Sequence, residues 1–463
     1  MVSPYHGTLE VRVRDELGTP IPARLTFLGM AGTKTPAFTS ADVGLDQPGG
    51  VMAYNRAFIV DEATLAVPPG RYEVWASHGI EYEAVPKIID IATGRTTVLG
   101  VVLAHTVATP GWISGDFHVH AERSFDSHVA MTHRALQFAA DGVDLLVSTD
   151  HNVIADYTPV IAKLGLGAEL ATLRGDELTT ADWGHFGAFP LAGTPDLPDG
   201  GAPITAGRTP EQLFADLRAH DPDAVIDIHH PRLEDGHIGY FHLGKLDTAR
   251  LVGTRPGFSF DFDAIEVLNG YQDPDRHSLD VVLADWFAFL RHGHRVTATG
   301  NSDTHHLTFN LGGFPRNYVA LASATPGSVD GRALARAVKA GRAYFTTGPI
   351  VAVTVGDATL GDTITTHGEP LLLHVVVRAA TWIAVDRVTI IVDGVVTSVW
   401  PAARGPIVRF DQTIPVPVAK DGFVVVRVDG DRAMAPVIGD AQHFRVYPLA
   451  ITNPIWVHRE AAR

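Results

Sequence analysis

The chain contains no cysteine. That absence excludes disulfides, zinc fingers, iron–sulfur clusters and a thiolate nucleophile, and it leaves the redox compartment open. Basic residues are also scarce: 36 Lys and Arg face 52 Asp and Glu, a formal net charge of -16. A nucleic-acid backbone or an anionic membrane needs a basic face, so neither is expected as a partner. The same balance repels a highly anionic substrate unless bound cations reverse the field locally. No apolar run of about 18 residues occurs, which argues against a membrane-spanning helix. The opening MVSPYHGTLEVRVRD lacks a basic start followed by an apolar stretch. No signal peptide is expected, therefore, and the cytoplasm is the default compartment. Oligomeric state leaves no signature in the sequence.

What is present suffices for several cores. At 463 residues the length suggests about three domains, and 46% hydrophobic residues supply their interiors. Residues 1–108 alternate apolar and polar in GTLEVRVRD, ARLTFLG, TLAVPPGRYEVWASHG and TTVLGVVL, with turns at 17–20 and 68–70. Short strands of this kind predict a small β-sandwich. Residues 109–346 instead alternate strand-like runs with helical patterns. The runs are GDFHVH (115–120), DLLVSTDH (144–151), TLRGDELT (172–179), HFGAFPL (185–191), AVIDIHHP (224–231), AIEVLNG (264–270) and VTATGNSDTH (296–305). Between some of them lie the amphipathic segments HVAMTHRALQFAADG, PEQLFADLRAH and HSLDVVLADWFAFLRHG. Such alternation predicts an α/β architecture on a parallel sheet, and seven strands suggest a closed or nearly closed barrel, with an open sheet as the alternative the pattern also allows. GRALARAVKAGRAYFTTGP (331–349) reads as a last helix leading out. From 347 to 463 a β pattern returns in IVAVTV, LLLHVVVRA, RVTIIVDG, IVRFDQTIPV and GFVVVRVDG, a second β-sandwich candidate.

The histidines are unevenly spread: 16 of the 23 fall within 109–315. Their positions matter more than their number. His118 and His120 end the first strand two residues apart, so both point to one side of it. Asp150 and His151 end the second, Glu177 the third, His229 and His230 the fifth, and Asp303 and His305 the seventh; His185 opens the fourth. In a parallel barrel, catalytic groups gather where strands end. Imidazole and carboxylate together suit Zn, Mn or Fe, and a cluster this rich can hold more than one divalent ion. Two ions about 3.5–4 Å apart can clamp a hydroxide against a phosphoryl or carbonyl centre, with no Ser or Cys needed. Singly, each residue has a plainer reading: an HxH pair on the surface, a helix cap at Asp150, a hydrogen-bonded core pair at 229–230. Jointly, those readings require costly polar groups to collect at strand ends by chance.

The order D-x-H-x-H, T-D-H-N, G-x-E, G-H-F, H-P-R and S-D-x-H resembles the PHP (polymerase and histidinol phosphatase) superfamily of metallohydrolases. GDFHVHAERSFDS, LLVSTDHN, GHFGAFPL, GRAYFTTGP and TNPIWV are similar to its carbaryl-hydrolase-like branch, labelled CehA/McbA. PPGRYEVWASHGIEYE resembles the carboxypeptidase-regulatory-like β-sandwich that often precedes it. The resemblance implies a distorted seven-stranded (β/α) barrel flanked by β-sandwiches. It further implies metal ligands at His118, His120, Asp126, His151, Glu177, His185, His230, Asp303 and His305. His118, His120, Glu177 and Asp303 would share one ion, Glu177, His185 and His230 a second, and Asp126, His151 and His305 a third. Asp126 stands where members carry His or Asp, and His128 competes for that role. His229 and His306 adjoin these positions as orienting partners. Glu177 and Asp303 are also candidates for a direct catalytic role. Arg232 reads either as a ligand for a substrate anion or as a solvated Arg. Asn152, Asn269, Tyr271 and Asn301 lie at strand ends where they can shape a pocket.

The expected activity is metal-dependent hydrolysis of a small molecule by a metal-held hydroxide. The few cations around the motifs favour a neutral substrate slightly, and the resemblance to the carbaryl-hydrolase-like branch implies a carbamate, amide or carboxylic ester; phosphoester hydrolysis is the alternative. A non-catalytic binding protein would have lost several of these residues. An amidohydrolase barrel would usually carry Lys at a strand end, and none of the strand ends does.

Overall fold

The computed structural model describes residues 6–39, 43–194, 196–233, 238–270, 277–308, 310–440 and 445–460. Alternation in the first segment does form strands. In Gly7–Asp15, Leu9, Val11 and Val13 turn inward while Thr8, Glu10 and Arg12 do not. This strand lies between Glu62–Val67 and Thr96–Leu103. A second sheet of six strands includes Ala23–Met30 and Gly70–Ser77. Leu9, Leu65 and Val101 of the first sheet share one core with Phe27, Tyr72 and Val74 of the second. The strands at Leu45–Gln47, Gly50–Ala53, Arg56–Ile59 and Val85–Ile91 were not expected.

In the middle segment, Trp112–Asp116, Leu145–Ser148 and Ala171–Arg174 pair in parallel. Asp176–Thr179 continues the chain into a second sheet with His185–Phe189, Val225–Ile228, Ala264–Asn269 and Thr297–Asn301. Two parallel bridges, His151 with Glu177 and Val119 with Thr304, join the two sheets at their seams. The expected parallel run has one exception: His185–Phe189 is antiparallel to both neighbours. Residues 180–184 are the whole connection into it, and a reversal that short permits only a hairpin, whereas a parallel partner needs about a dozen residues or more. The start of this strand therefore lies where its neighbours end.

Helices form at Met131–Ala140, Pro210–His220, His277–Arg291 and Gly331–Lys339, where the apolar period is 3.6. Pro210–His220 opens on a capping box between Thr209 and Gln212, with Pro210 in the first turn. Beyond the last helix, Ala343–Thr346 pairs with Leu449–Thr452, which pairs with Gly422–Asp429. The sheet that holds Trp112–Asp116 thus runs unbroken past residue 346 into the C-terminal segment. Opposite it, Ile350–Val355, Leu371–Arg378 and Val408–Val416 form a three-stranded sheet across a core of Val353, Leu373, Val388 and Val426.

The chain is therefore a mixed α/β protein of several sheets, richer in strands than in helices. Two buried arginines tie the N-terminal sandwich to the rest. Arg24 pairs with Asp141 and donates to the Val437 carbonyl; Arg56 donates to the carbonyls of Thr308 and Gly439. Among the described residues, no helix is long and apolar enough to cross a membrane.

Candidate metal centre

Past Asp116 the chain stays extended between two neighbours. Thr149 N donates to the Val119 carbonyl and His120 N to the Thr304 carbonyl. Residues 118 and 120 therefore share a face directed at the ends of the other strands. His151 follows Leu145–Ser148, and His229 and His230 follow Val225–Ile228. Asp303 and His305 follow Thr297–Asn301, Glu177 sits inside Asp176–Thr179, and the reversed strand contributes its first residue, His185.

These ends meet around Glu177, whose side chain is wholly buried. Its Oε1 lies 3.0 Å from His118 Nε2, 2.9 Å from His229 Nδ1, and 3.3 Å from both His185 Nδ1 and His230 Nε2. Its Oε2 lies 2.8 Å from His151 Nδ1 and 3.5 Å from His120 Nε2. Asp303 Oδ1 is 3.1 Å from His118 Nε2 and 3.2 Å from His120 Nε2. Asp126 Oδ2 is 3.0 Å from His151 Nε2 and 3.2 Å from His305 Nε2.

All nine residues singled out as ligands are brought together here. Several sets of three or four have donor atoms within 4.8 Å of one another, among them His120, Asp126, His151 and His305. Others are His118, His120 and Glu177; His118, His230 and Asp303; and His151, Glu177 and His185. His128 is exposed and belongs to none of them.

The donor chemistry fits divalent ions. Nε2 of His118 and His120, Oε2 of Glu177, Nδ1 of His185 and Nδ1 of His230 are buried without a well-directed hydrogen bond. Each such atom costs about 1–3 kcal/mol unless something meets its lone pair, and a cation meets several at once. Burial alone raises the Glu177 carboxyl, yet His118, His151 and His185 overcome that and hold it well below the usual range. Burial pushes His120 down to about 3 and His229 to about 4, which keeps both imidazoles neutral, the ligand form. Burial also lowers His118, but Asp303, Glu177 and Glu266 outweigh it and raise this imidazole well above its ordinary value. Three acids thus compete for one proton where a metal ion would serve them all.

Partners behind the cluster fix its rings. His118 turns Nδ1 to Glu266 Oε1 at 3.0 Å, and His120 turns Nδ1 to Ser124 Oγ at 2.8 Å, so each aims Nε2 inward. Glu266 in turn accepts from His230 N, Asn269 Nδ2 and Asn301 Nδ2. Asn269 also donates to Asp303 Oδ2 at 3.1 Å. Asn152 exchanges hydrogen bonds with the Thr179 backbone, and Tyr271 lies outside the described residues. Asn152, His230 and Asp303 hold φ of 54°, 28° and 50°, strained backbone for residues other than Gly. Asp150 is no ligand among the described groups; it accepts from Ala121 N and organises the loop.

Two residues escaped the sequence reading. Glu266 stands as a lone acid inside an apolar strand, Ala264–Asn269, which was a usable sign. Arg134 lies four residues before Phe138 on the buried face of Met131–Ala140. Its guanidinium donates to the carbonyls of His120, Thr304 and His306, tying together the two loops that carry the cluster. Arg232 is already engaged: Nε and Nη2 clasp Asp285 at 2.6 and 3.0 Å.

No protein-family model matches the chain, and no curated protein matches it. Among solved structures, it is similar to a β-glucuronidase of Parabacteroides merdae with glycerol in its active site (9% identity, TM-score 0.20, covering 96% of this chain and 60% of that one). A β-glucuronidase of Bacteroides uniformis gives 9% identity and a TM-score of 0.20, covering 100% of this chain and 60% of its own. The chain spans about 60% of the length of those enzymes, and a likeness at this score carries no argument about fold or activity.

Proposed function

We propose that this chain is a metal-dependent hydrolase of the PHP type, of the carbaryl-hydrolase-like branch. On this reading the seven strands of the middle segment close into a distorted barrel between two β-sandwiches. The substrate is a small molecule with a carbamate, amide or carboxylic ester bond. One observation carries the reading: a single buried carboxylate, Glu177, ringed by six imidazoles and flanked by Asp126 and Asp303.

His118, His120, Asp126, His151, Glu177, His185, His230, Asp303 and His305 would hold two or three Zn, Mn or Fe ions. Divalent ions supply a water activated to a pKa of about 7 and polarise the bond under attack. The chain's own groups do the rest. Glu177, with two oxygens serving different imidazoles, links the donor sets. Asp303, kept ionised by His118, His120 and His305 and partly open to solvent, would accept a hydrogen bond from the attacking water and orient it.

Phosphoester hydrolysis is the competing reading, favoured by donor sets sufficient for more than one ion. Against it stands Arg232, whose charge Asp285 already neutralises. Metal analysis of protein purified without chelator, followed by aryl carbamates and esters screened beside aryl phosphates, tests the choice. Turnover of phosphates alone rejects the preferred substrate class. Glu177→Gln should lower metal content and abolish turnover; an active, metal-replete variant contradicts the linking role.

A further inference from the structure

A cavity of about 570 Å³ opens beside the cluster. One candidate ligand, His230, lines the cavity, together with Glu266 and Asn269, which hold the rings and Asp303 of the cluster, so the cavity borders the candidate metal centre at His230. Its volume lies within the range of about 300–1,000 Å³ that encloses small-molecule ligands. Away from the cluster the wall turns apolar: Val267 and Leu268 come from the strand Ala264–Asn269, and Leu279, Val281 and Val282 from the helix His277–Arg291.

This wall offers no unpaired Arg or Lys among its described lining residues. Arg232 is the only Arg or Lys among its described lining residues, and Asp285, also in the lining, holds it at two points. Glu266 accepts from His230 N and from two asparagines. An anionic group entering here would meet one guanidinium already neutralised and would leave its own water behind, a cost with nothing to offset it. An apolar group meets the aliphatic side chains of the strand and the helix and gains by leaving water.

We propose that this cavity is the subsite for an uncharged, mainly apolar substituent of the substrate, on the His230 side of the bond to be cleaved. The proposal rests on the hydrolase reading for what lies at the cluster, but not on which bond is cleaved. Val281 is a specificity-determining residue on this account, because it lines the cavity and is 37% exposed, leaving room for a larger side chain.

Binding of straight-chain primary amides, from propanamide to octanamide, to the metal-loaded protein by calorimetry tests it. Affinity should rise about fourfold per added methylene until the cavity is full. A carboxylate at the far end of the longest amide should erase most of that gain. Val281→Trp should flatten the series with the metal content and melting temperature kept. Val281→Ala should move the levelling-off to longer chains, and this decides the matter where the Trp variant fails to fold. A flat series in the wild type, an unchanged series in the folded variants, or tighter binding of the carboxylate-tipped amide overturns the proposal. The readout needs no turnover: a steep series in a protein that hydrolyses none of carbamates, amides, esters or phosphates keeps the subsite and sinks the hydrolase reading. A flat series in an active enzyme does the reverse.

Discussion

Arg134→Met removes a buried fork of donors while keeping an unbranched side chain and a helix-favouring residue. In the structure the guanidinium donates at 3.0 Å to the His120 carbonyl, at 3.1 Å to that of Thr304 and at 3.0 Å to that of His306. It also donates at 2.9 Å to Thr304 Oγ1. A hydrogen bond from a charged donor is worth about 1.5–3 kcal/mol, and the substitution removes the side-chain donor of the buried His120 carbonyl, while the carbonyls of Thr304 and His306 keep His120 N and Thr304 Oγ1. Relief from burying a cation offsets part of that loss, since burial already lowers the Arg134 pKa to about 10. A net destabilisation of about 3 kcal/mol remains. The sharper consequence is for the cluster. Beyond the backbone bridge at Val119 and Thr304, this side chain helps keep His120 on one loop in register with Asp303 and His305 on the other, and loosening such a partner costs roughly 10–100-fold in metal affinity. Zinc affinity measured by chelator competition reads the second effect, and urea unfolding of the metal-free protein reads the first. Arg134→Lys keeps the charge but loses the planar fork, so it should fall between wild type and Met. An Arg134→Met protein that binds zinc as tightly as wild type refutes the reasoning.

Other expectations follow from single contacts. A Cβ at Gly187 would meet His229 Nε2 at 2.2 Å, so Gly187→Ala should displace that ring, lower metal content and cost about 1–3 kcal/mol; a metal-replete variant of unchanged stability contradicts this. Chelation should lower the melting temperature, because ions at a hundred times their Kd contribute about 2.7 kcal/mol to the folded state; a melting curve indifferent to chelator and to added zinc argues against a metal centre. Burial holds His78 down at about 4 against an ordinary 6.5. The unfolded chain therefore takes up a proton that the folded one refuses, and stability falls as pH drops from about 6.5 to about 4, by roughly 3 kcal/mol in full. His78→Gln should show a shallower pH dependence of urea unfolding across that window; parallel curves would count against it.

How far the site could be read in advance depended on side-chain chemistry. Polar residues in near-continuous apolar runs are expensive, so His118, His120, Glu177 and His230 stood out from their strands without any coordinates. Glu266 carried the same sign but had no neighbour to pair with in sequence, since its partner His118 lies 148 residues away. Arg134 gave almost no sign, because a long cationic side chain on a helix usually snorkels to water. Arg232 was visible as a cation near the motifs, but its clasp by Asp285 depends on the helix His277–Arg291 packing alongside.

Local rules, then, set what each stretch of this chain became: strands where apolar residues alternate or run on, helices where they recur every third or fourth position, and costly polar groups where strands end. Which of those ends face one another was beyond their reach. The seams at Val119 with Thr304 and at His151 with Glu177, and the cavity beside His230, depend on pairings between residues apart in the chain. Such pairings are selected by packing the whole molecule, because only the folded chain can weigh the loss of water from a buried carboxylate against the six imidazoles gathered around it.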